Sequence, residues 1–148
     1  MTDSSIGVGV TESAPADGCI FCAIVARRAP AWIVYEDANS LAFLDLFPFT
    51  RGHLLVIPKR HVPRLTELRR SEYEEFFHAL ATVCRRADRL SPDYNVALNQ
   101  GARAGQIVFH LHFHVIPRYG EPNPFHQSPR ARLSDDDARA LLKELGEE

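Results

Sequence analysis

The sequence predicts an α+β domain built on an antiparallel sheet of about five strands. Short segments rich in β-branched and aromatic residues are separated by turn residues, which is typical of strands. One longer segment has apolar residues three to four positions apart, which is typical of an amphipathic helix. The connections within 31–44 and 94–116 are short enough for antiparallel pairing, so a doubly wound parallel sheet is not expected.

The elements are predicted in the order helix, two strands, third strand, long helix, two strands and terminal helix. Pro30 ends the first helix, the polar residues at 37–40 form a turn, and Pro58 stops the third strand. The predicted ranges are 19–28 for the first helix, 31–36, 41–44 and 53–57 for the first three strands, 72–90 for the long helix, 94–99 and 107–117 for the last two strands, and 135–145 for the terminal helix.

Both of the longer helices have an N-terminal signal in the sequence. Ser71 with Glu74, and Ser134 with Asp137, have the residue spacing of a capping box. The long helix also carries one broad apolar stripe. The stripe consists of Tyr73, Phe76, Phe77, Leu80, Val83, Cys84 and Ala87.

Length and composition indicate one domain with a substantial core, since 45% of the 148 residues are hydrophobic and nine are Phe. We expect a flexible leader over 1–18, the folded domain over 19–120, and a C-terminal extension with the terminal helix over 121–148. The net charge of −2 gives no basic surface for nucleic acid, and no apolar run is long enough for a membrane span. The leader lacks signal-peptide features, and three cysteines do not make a secreted disulfide scaffold, so a cytoplasmic location is predicted.

Three histidines at alternate positions are the most informative chemical feature. His110, His112 and His114 lie in the predicted last strand, where side chains alternate between faces, so the three imidazoles are expected on one face. The residues expected on the opposite, core-facing side are Phe109, Leu111, Phe113 and Val115. Because a buried strand gains nothing from a row of imidazoles unless they do chemistry, the open interpretations are a metal site and a nucleophilic histidine.

A regular strand would not allow one ion to bind the whole row. The first and third histidines would be about 13 Å apart at about 3.3 Å per residue, whereas an imidazole nitrogen lies about 2.0 Å from its metal. A neutral imidazole is also a good nucleophile near neutral pH, and its attack on phosphorus gives a phosphoramidate that water can hydrolyse. The preceding loop offers donors for phosphate oxygens in Asn99, Gln106 and the backbone of 101–105.

This region resembles the signature of the histidine triad (HIT) nucleotide-binding proteins, in which three histidines alternate with hydrophobic residues. The resemblance covers about 19–118. The segments that carry it are Val34 to Asp37, Leu41 to Asp45, Gly52 to His61 and Gly105 to Ile116. It implies the HIT fold and a homodimer whose sheet continues from one subunit to the other, with the long helix contributing to the interface.

The resemblance also implies an activity: hydrolysis at the α-phosphorus of a purine nucleotide conjugate through a covalent nucleotidyl-histidine. His112 matches the nucleophile, and His114 matches the residue that contacts the phosphate and the leaving group. The implied phosphate-binding residues are Asn99, Gly105, Gln106 and His53. Asp45 matches the carboxylate that binds the ribose hydroxyls. The implied walls of the base slot are Ile20, Phe21, Ile24, Phe43 and Leu46, and no organic cofactor is implied.

Two positions bear on the kind of substrate. Many family members have Ser or Thr directly after the loop glutamine, where this chain has Ile107, so a hydroxyl contact with the leaving group is missing. The third triad residue is His114 and not the glutamine of the nucleotidyl-transferase branch, which favours hydrolysis over transfer. Dinucleoside polyphosphates, aminoacyl adenylates and nucleoside phosphoramidates all stay open as substrates.

Cys19 and Cys22 form a C-x-x-C pair. The spacing alone is compatible with two buried thiols at a helix start, a redox pair, or half of a zinc site. Bacterial-type HIT proteins resemble this chain here and bind zinc through these cysteines, a histidine after Pro-Lys-Arg and the first triad histidine. The resemblance therefore implies a structural zinc held by Cys19, Cys22, His61 and His110.

Three functional hypotheses follow, of which the HIT-type nucleotide hydrolase is preferred. The others are a metal-dependent hydrolase with the histidine row around a catalytic ion, and a nucleotide-binding regulatory module with little turnover. Arg118 is a candidate to meet a polyphosphate or a tail carboxylate, and His126 to lie near the partner subunit's site.

Overall fold

The helices and strands follow the predicted order along the chain. In the computed structural model, which describes residues 18–123, 125 and 130–146, they are α1 (Ile20–Val25), β1 (Ile33–Glu36), β2 (Ser40–Leu44), β3 (Leu54–Pro58), α2 (Tyr73–Ala87), β4 (Tyr94–Leu98), β5 (Phe113–Pro117) and α3 (Asp135–Leu145). Short 3-10 turns occupy Leu65–Glu67, Arg70–Glu72 and Ala102–Ala104. The predicted leader up to residue 17, and His126, lie outside the described residues.

The five strands form one antiparallel sheet in the order β1-β2-β3-β5-β4, which confirms the predicted α+β class. β2 and β3 are buried along their whole length, because both faces of the sheet are covered at its centre. No helix among the described residues is long and apolar enough to cross a membrane.

Two apolar clusters cover the two faces of the sheet. The larger joins α2 and α3 to one face, and the terminal helix contributes its buried residues Ala138, Leu141 and Leu145 to it. The smaller contains Phe21 and Ile24 of α1 together with strand residues such as Phe43. The predicted C-terminal extension therefore shares the main core, while the predicted division of the chain at residue 120 stays a prediction.

The start of α2 differs from the prediction. The capping box of Ser71 with Glu74 is wrong, because a 3-10 turn at Arg70–Glu72 precedes the helix and Glu72 is its N-cap. Glu72 instead accepts hydrogen bonds from the backbone N–H of Arg69 at 2.7 Å and from the Arg60 guanidinium at 2.7 and 2.9 Å. This set of hydrogen bonds pulls the acidic side chain back over the turn.

Only one edge of the predicted apolar stripe on α2 belongs to the core. The buried stripe residues are Phe76, Leu80, Val83 and Ala87. Tyr73 and Phe77 are 54% and 68% exposed in the single chain, so the stripe is only partly core, as the resemblance implied. The capping of the terminal helix is as predicted, since the Ser134 hydroxyl accepts a hydrogen bond from the Asp137 N–H at 3.1 Å.

The strand that was expected to carry all three histidines begins only at Phe113. Two hydrogen bonds take the preceding backbone out of the sheet: the Leu111 N–H donates to the Val62 carbonyl at 2.7 Å, and the His110 carbonyl lies 2.7 Å from His112 Nδ1. Leu111, Phe113 and Val115 still face the main core, as predicted, whereas the prediction for Phe109 is wrong, because its side chain is 49% exposed.

Candidate active site and metal centre

Strand pairing at the centre of the sheet brings together a carboxylate and two histidines that are distant in the sequence. Asp45 follows β2 and His53 precedes β3, and the Asp45 N–H donates to the His53 carbonyl at 2.9 Å. His114 lies in β5, opposite Leu55 of β3. His53 Nε2 is 2.9 Å from His114 Nδ1 and 3.6 Å from Asp45 Oδ2. These side chains form a connected polar group on one sheet face.

The hydrogen bonds assign the proton positions of this pair of histidines. The Phe49 N–H donates to His53 Nδ1 at 3.0 Å, so the His53 proton is on Nε2. His53 Nε2–H therefore donates to His114 Nδ1, and the remaining proton of His114 is on its Nε2. His114 is thereby fixed as a neutral donor through Nε2.

His112 has the opposite arrangement. Its Nδ1 lies 2.7 Å from the His110 carbonyl, which can only accept, so His112 carries its proton on Nδ1 and a free lone pair on Nε2. The edge of Phe21 meets the His112 ring at a centroid distance of 5.1 Å, and the His114 ring lies at the same distance. The side chain is thus held from two sides with one ring nitrogen available for chemistry.

Burial favours the neutral forms of these groups. It lowers the pKa of His112, and it lowers the pKa of His114 to about 4 with smaller contributions from His112 and Arg130. The pKa of His53 is lowered well below its ordinary value by burial and then by His114. Burial also raises the pKa of Asp45, in spite of the hydrogen bond from the Phe47 N–H.

A second group of donors lies at the other end of the triad. The ligand atoms of Cys19, Cys22, His61 and His110 all lie within 4.8 Å of one another. His110 Nε2 is 2.8 Å from the Pro58 carbonyl and must carry the proton, which leaves the Nδ1 lone pair facing the two thiols. The structure therefore brings together the four residues predicted to be zinc ligands.

The distances in this group match tetrahedral coordination. Two nitrogens bound to a tetrahedral zinc are about 3.3 Å apart, and a nitrogen and a sulfur are about 3.6 Å apart. The nitrogens of His61 and His110 are 3.3 Å apart, and the nitrogen-to-sulfur distances are 3.5 Å for His110 with Cys19, 3.6 Å for His110 with Cys22 and 3.2 Å for His61 with Cys22. The donor set fits a closed structural zinc site.

The short helix α1 positions the two thiols. Cys19 is its N-cap, and the Cys22 N–H donates to Cys19 Sγ at 3.4 Å. The contact with the Cys22 side chain, followed by those with His110 and His61, lowers the pKa of the Cys19 thiol to about 2 against the effect of burial. A thiolate is the form that binds metal.

The loop before the triad holds its shape through Gln106. Its Oε1 accepts from the Gly101 N–H at 2.8 Å, and its Nε2 donates to the carbonyls of Pro63 and Val108 at 3.0 and 3.1 Å. Gly105 has a φ of +98°, and a Cβ there would touch the Asn99 side chain. The Gln106 side chain is thus occupied by the loop, whereas Asn99 is half-buried and Gly105 is exposed in the predicted phosphate site.

The residues predicted to line a base slot are placed at different depths. Phe21, Ile24 and Phe43 are buried in the smaller apolar cluster, and Phe21 packs edge-on against Phe43 at 5.4 Å. Leu46 is half-buried and Ile20 is 48% exposed. The buried three support the site from beneath, and the two others are accessible from outside.

Sequence reasoning missed two residues near the histidines, Phe49 and Arg130. The Phe49 ring stacks on His53 at 5.5 Å, and the Arg130 guanidinium carbon lies 3.9 Å from the centre of the Phe49 ring. No local pattern marks either residue, because both lie in irregular segments. Arg118, in contrast, binds the tail carboxylate of Glu121 at 2.8 Å, one of the two partners expected for it.

Comparison with known proteins shows the family. The HIT domain family matches residues 26–121, so the chain belongs to the HIT family, as the resemblance implied. It is 39% identical over 129 residues to the adenosine 5'-monophosphoramidase hnt1 of Schizosaccharomyces pombe, which covers 86% of this chain and 95% of that protein. It is 35% identical over 127 residues to the adenylylsulfatase HINT3 of Arabidopsis thaliana, and this match covers 79% of this chain and 61% of that protein.

A solved structure with the same fold is a Zn-bound histidine triad family protein from Mycobacterium smegmatis. It has a TM-score of 0.70 and 39% sequence identity, and the match covers 87% of this chain and 94% of that one.

Proposed function

We propose that the chain hydrolyses purine nucleotide conjugates at the α-phosphorus through a nucleotidyl intermediate on His112. The observation that carries the proposal is the hydrogen bond between His112 Nδ1 and the His110 carbonyl, which leaves the Nε2 lone pair free. A neutral imidazole with a fixed tautomer is a nucleophile at neutral pH. The lowered pKa of His112, caused by burial, keeps this form populated.

The first step forms a bond between His112 Nε2 and phosphorus and breaks the bond from phosphorus to the leaving group, which departs with the bonding electrons. In this proposal His114, with its Nδ1 occupied by His53, donates through Nε2–H to the phosphoryl oxygen or the leaving atom, and the Gly105 backbone and Asn99 add donors. Water then attacks phosphorus, which releases the nucleoside monophosphate and restores the imidazole. Asp45 binds the ribose hydroxyls, and the base lies against Ile20 and Leu46.

The zinc site has a supporting role in this proposal. The donor distances fit a zinc bound by Cys19, Cys22, His61 and His110, and a related structure from M. smegmatis is described as Zn-bound. When bound, zinc would supply a cross-link between α1, the segment after β3 and the segment before β5. His110 would then be fixed at both ring nitrogens, and its carbonyl would hold His112 in the reactive tautomer.

We also propose that two chains form a homodimer. Tyr73 and Phe77 of α2, and Val96 of the edge strand β4, are large apolar side chains exposed in the single chain. A second copy would cover them. Sedimentation equilibrium tests this proposal, since Phe77→Glu should shift the mass from two chains to one and His78→Glu, at the next and also exposed position, should not.

The hydrolase proposal is tested by mass spectrometry of the protein quenched during turnover. Adenylyl sulfate and adenosine 5'-monophosphoramidate, the compounds in the names of the two relatives, are the first substrates to try. We expect an adduct of one nucleoside monophosphate on His112, and loss of adduct and turnover in His112→Ala. Wild-type turnover in that variant would overturn the mechanism.

The alternatives predict other outcomes. A metal-dependent hydrolase would lose activity with a chelator and regain it with added metal while no adduct formed. The group of Asp45, His53 and His114 is the relevant donor set, but its imidazoles are already joined by a hydrogen bond, which favours the nucleophilic route. A regulatory module would bind AMP and turn over neither substrate.

A further inference from the structure

Arg130 is a positive charge at the active site that the mechanism above does not use. It comes from the segment between β5 and α3, and its guanidinium carbon lies 3.9 Å from the centre of the Phe49 ring. Phe49 in turn stacks on His53 at an interplanar angle of 15° and donates its backbone N–H to the same imidazole. A cation–π contact of this kind holds the guanidinium in place without occupying its N–H donors.

The donors of Arg130 are not all satisfied. Its Nη1 atom is buried and has no hydrogen-bond partner among the residues that the structure describes. Arg118, which precedes it in the same C-terminal region, shows the usual alternative, because it bonds to Glu121 and Asn95. A buried guanidinium nitrogen without an acceptor is costly, so its retention indicates an acceptor that arrives with a ligand.

The guanidinium of Arg130 lies on the same side of the site as His53, on which the Phe49 ring stacks. It contributes to the lowered pKa of His53 and of His114 and opposes the raised pKa of Asp45, whereas it is not among the causes of the lowered pKa of His112. In an in-line displacement the leaving group departs opposite the attacking nitrogen. His114, proposed above to donate to the leaving atom, bonds to His53. Arg130 reaches the same His53 imidazole through the Phe49 ring, so its guanidinium lies near the leaving-group side of the site.

We propose that Arg130 binds the anionic leaving group of the substrate and so favours sulfate or phosphate over amine leaving groups. This inference rests on the proposed hydrolysis at His112. Guanidinium pairs with the oxygens of sulfate and phosphate through charge-assisted, often bidentate, hydrogen bonds. An amine leaving group carries no anionic oxygen for it to bind.

The test compares two substrates that share the adenylyl part and differ in the leaving group. In Arg130→Met we expect kcat/KM for adenylyl sulfate to fall about 10- to 100-fold, the loss of a charge-assisted hydrogen bond, and kcat/KM for adenosine 5'-monophosphoramidate to change less than about threefold. Arg130→Lys should recover part of the loss. Arg132→Met is the matched control, because Arg132 lies two positions later and its guanidinium carbon is 5.9 Å from the Phe47 ring.

Other outcomes overturn the proposal in separate ways. An equal loss with both substrates would place Arg130 at the α-phosphate or assign it a structural role, and no loss would remove it from the site. A binding measurement tests the inference even if the proposed hydrolysis is wrong. The β-phosphate of ADP would lie in the leaving-group position, so the affinity for ADP relative to AMP should fall about 10-fold or more in Arg130→Met. An unchanged ratio would refute the inference whether or not His112 is a nucleophile.

Discussion

Acidification should destabilise the fold through His114, whose pKa is about 4 in the folded chain against an ordinary 6.5, chiefly because of burial. At a pH between these two pKa values, His114 is protonated in the unfolded chain and neutral in the folded chain. The stability contributed by the neutral imidazole is therefore complete above about pH 6.5 and decreases as the pH falls toward 4. Below that pH both states are protonated and the loss stops.

The size of the effect follows from the difference between the two pKa values. At pH 5 the unfolded-state pKa lies about 1.5 units above the pH, which corresponds to about 2 kcal/mol. At pH 4 the loss reaches about 3 kcal/mol. His114 is half-buried, so solvent screens part of the effect and these values are upper bounds.

Urea unfolding at pH 7, 5 and 4, with zinc in excess, measures the effect by comparing wild type with His114→Asn. The variant should be less sensitive to pH by about 2 kcal/mol between pH 7 and pH 5. His53 titrates in the same direction, but most of the lowering of its pKa comes from its own burial and remains in the variant. The exposed His78→Asn is the control, and equal pH dependence in wild type and His114→Asn would refute the reasoning.

Three further predictions concern the turn before β3, the start of α3 and the metal centre. Gly52→Ala should cost more than about 1 kcal/mol of unfolding free energy in urea, because φ is +88° and a Cβ would collide with Leu90; an unchanged midpoint would contradict this. Ser134→Ala should cost about 1 kcal/mol by calorimetry through loss of the N-cap hydrogen bond, and Ser134→Asp should not. In Cys22→Ser, elemental analysis should find well below one equivalent of bound zinc, and the variant should unfold at the same temperature as wild type treated with a chelator. A full equivalent of zinc in the variant would count against the four-ligand site.

The element order was predictable because it depends on local periodicity. Alternation and turn residues located the strands, and the 3–4 spacing located α2, so the class and the sheet's antiparallel pairing are as expected. The boundaries that failed depend on distant partners. β5 starts late because the Leu111 N–H bonds to Val62, and α2 starts differently because Glu72 binds Arg60.

The sequence by itself determined the family and the chemical inventory: three alternating histidines, a C-x-x-C pair and a glycine-containing loop. Only the tertiary structure decided which ring nitrogen of each histidine is free, because the deciding carbonyls and N–H groups belong to Pro58, His110 and Phe49. It also placed Arg130 at the site. The physical reason is that a histidine tautomer, or the position of a guanidinium, is set by neighbours in space. Residues such as Cys19 and His110, which are 91 positions apart, become neighbours only in the fold.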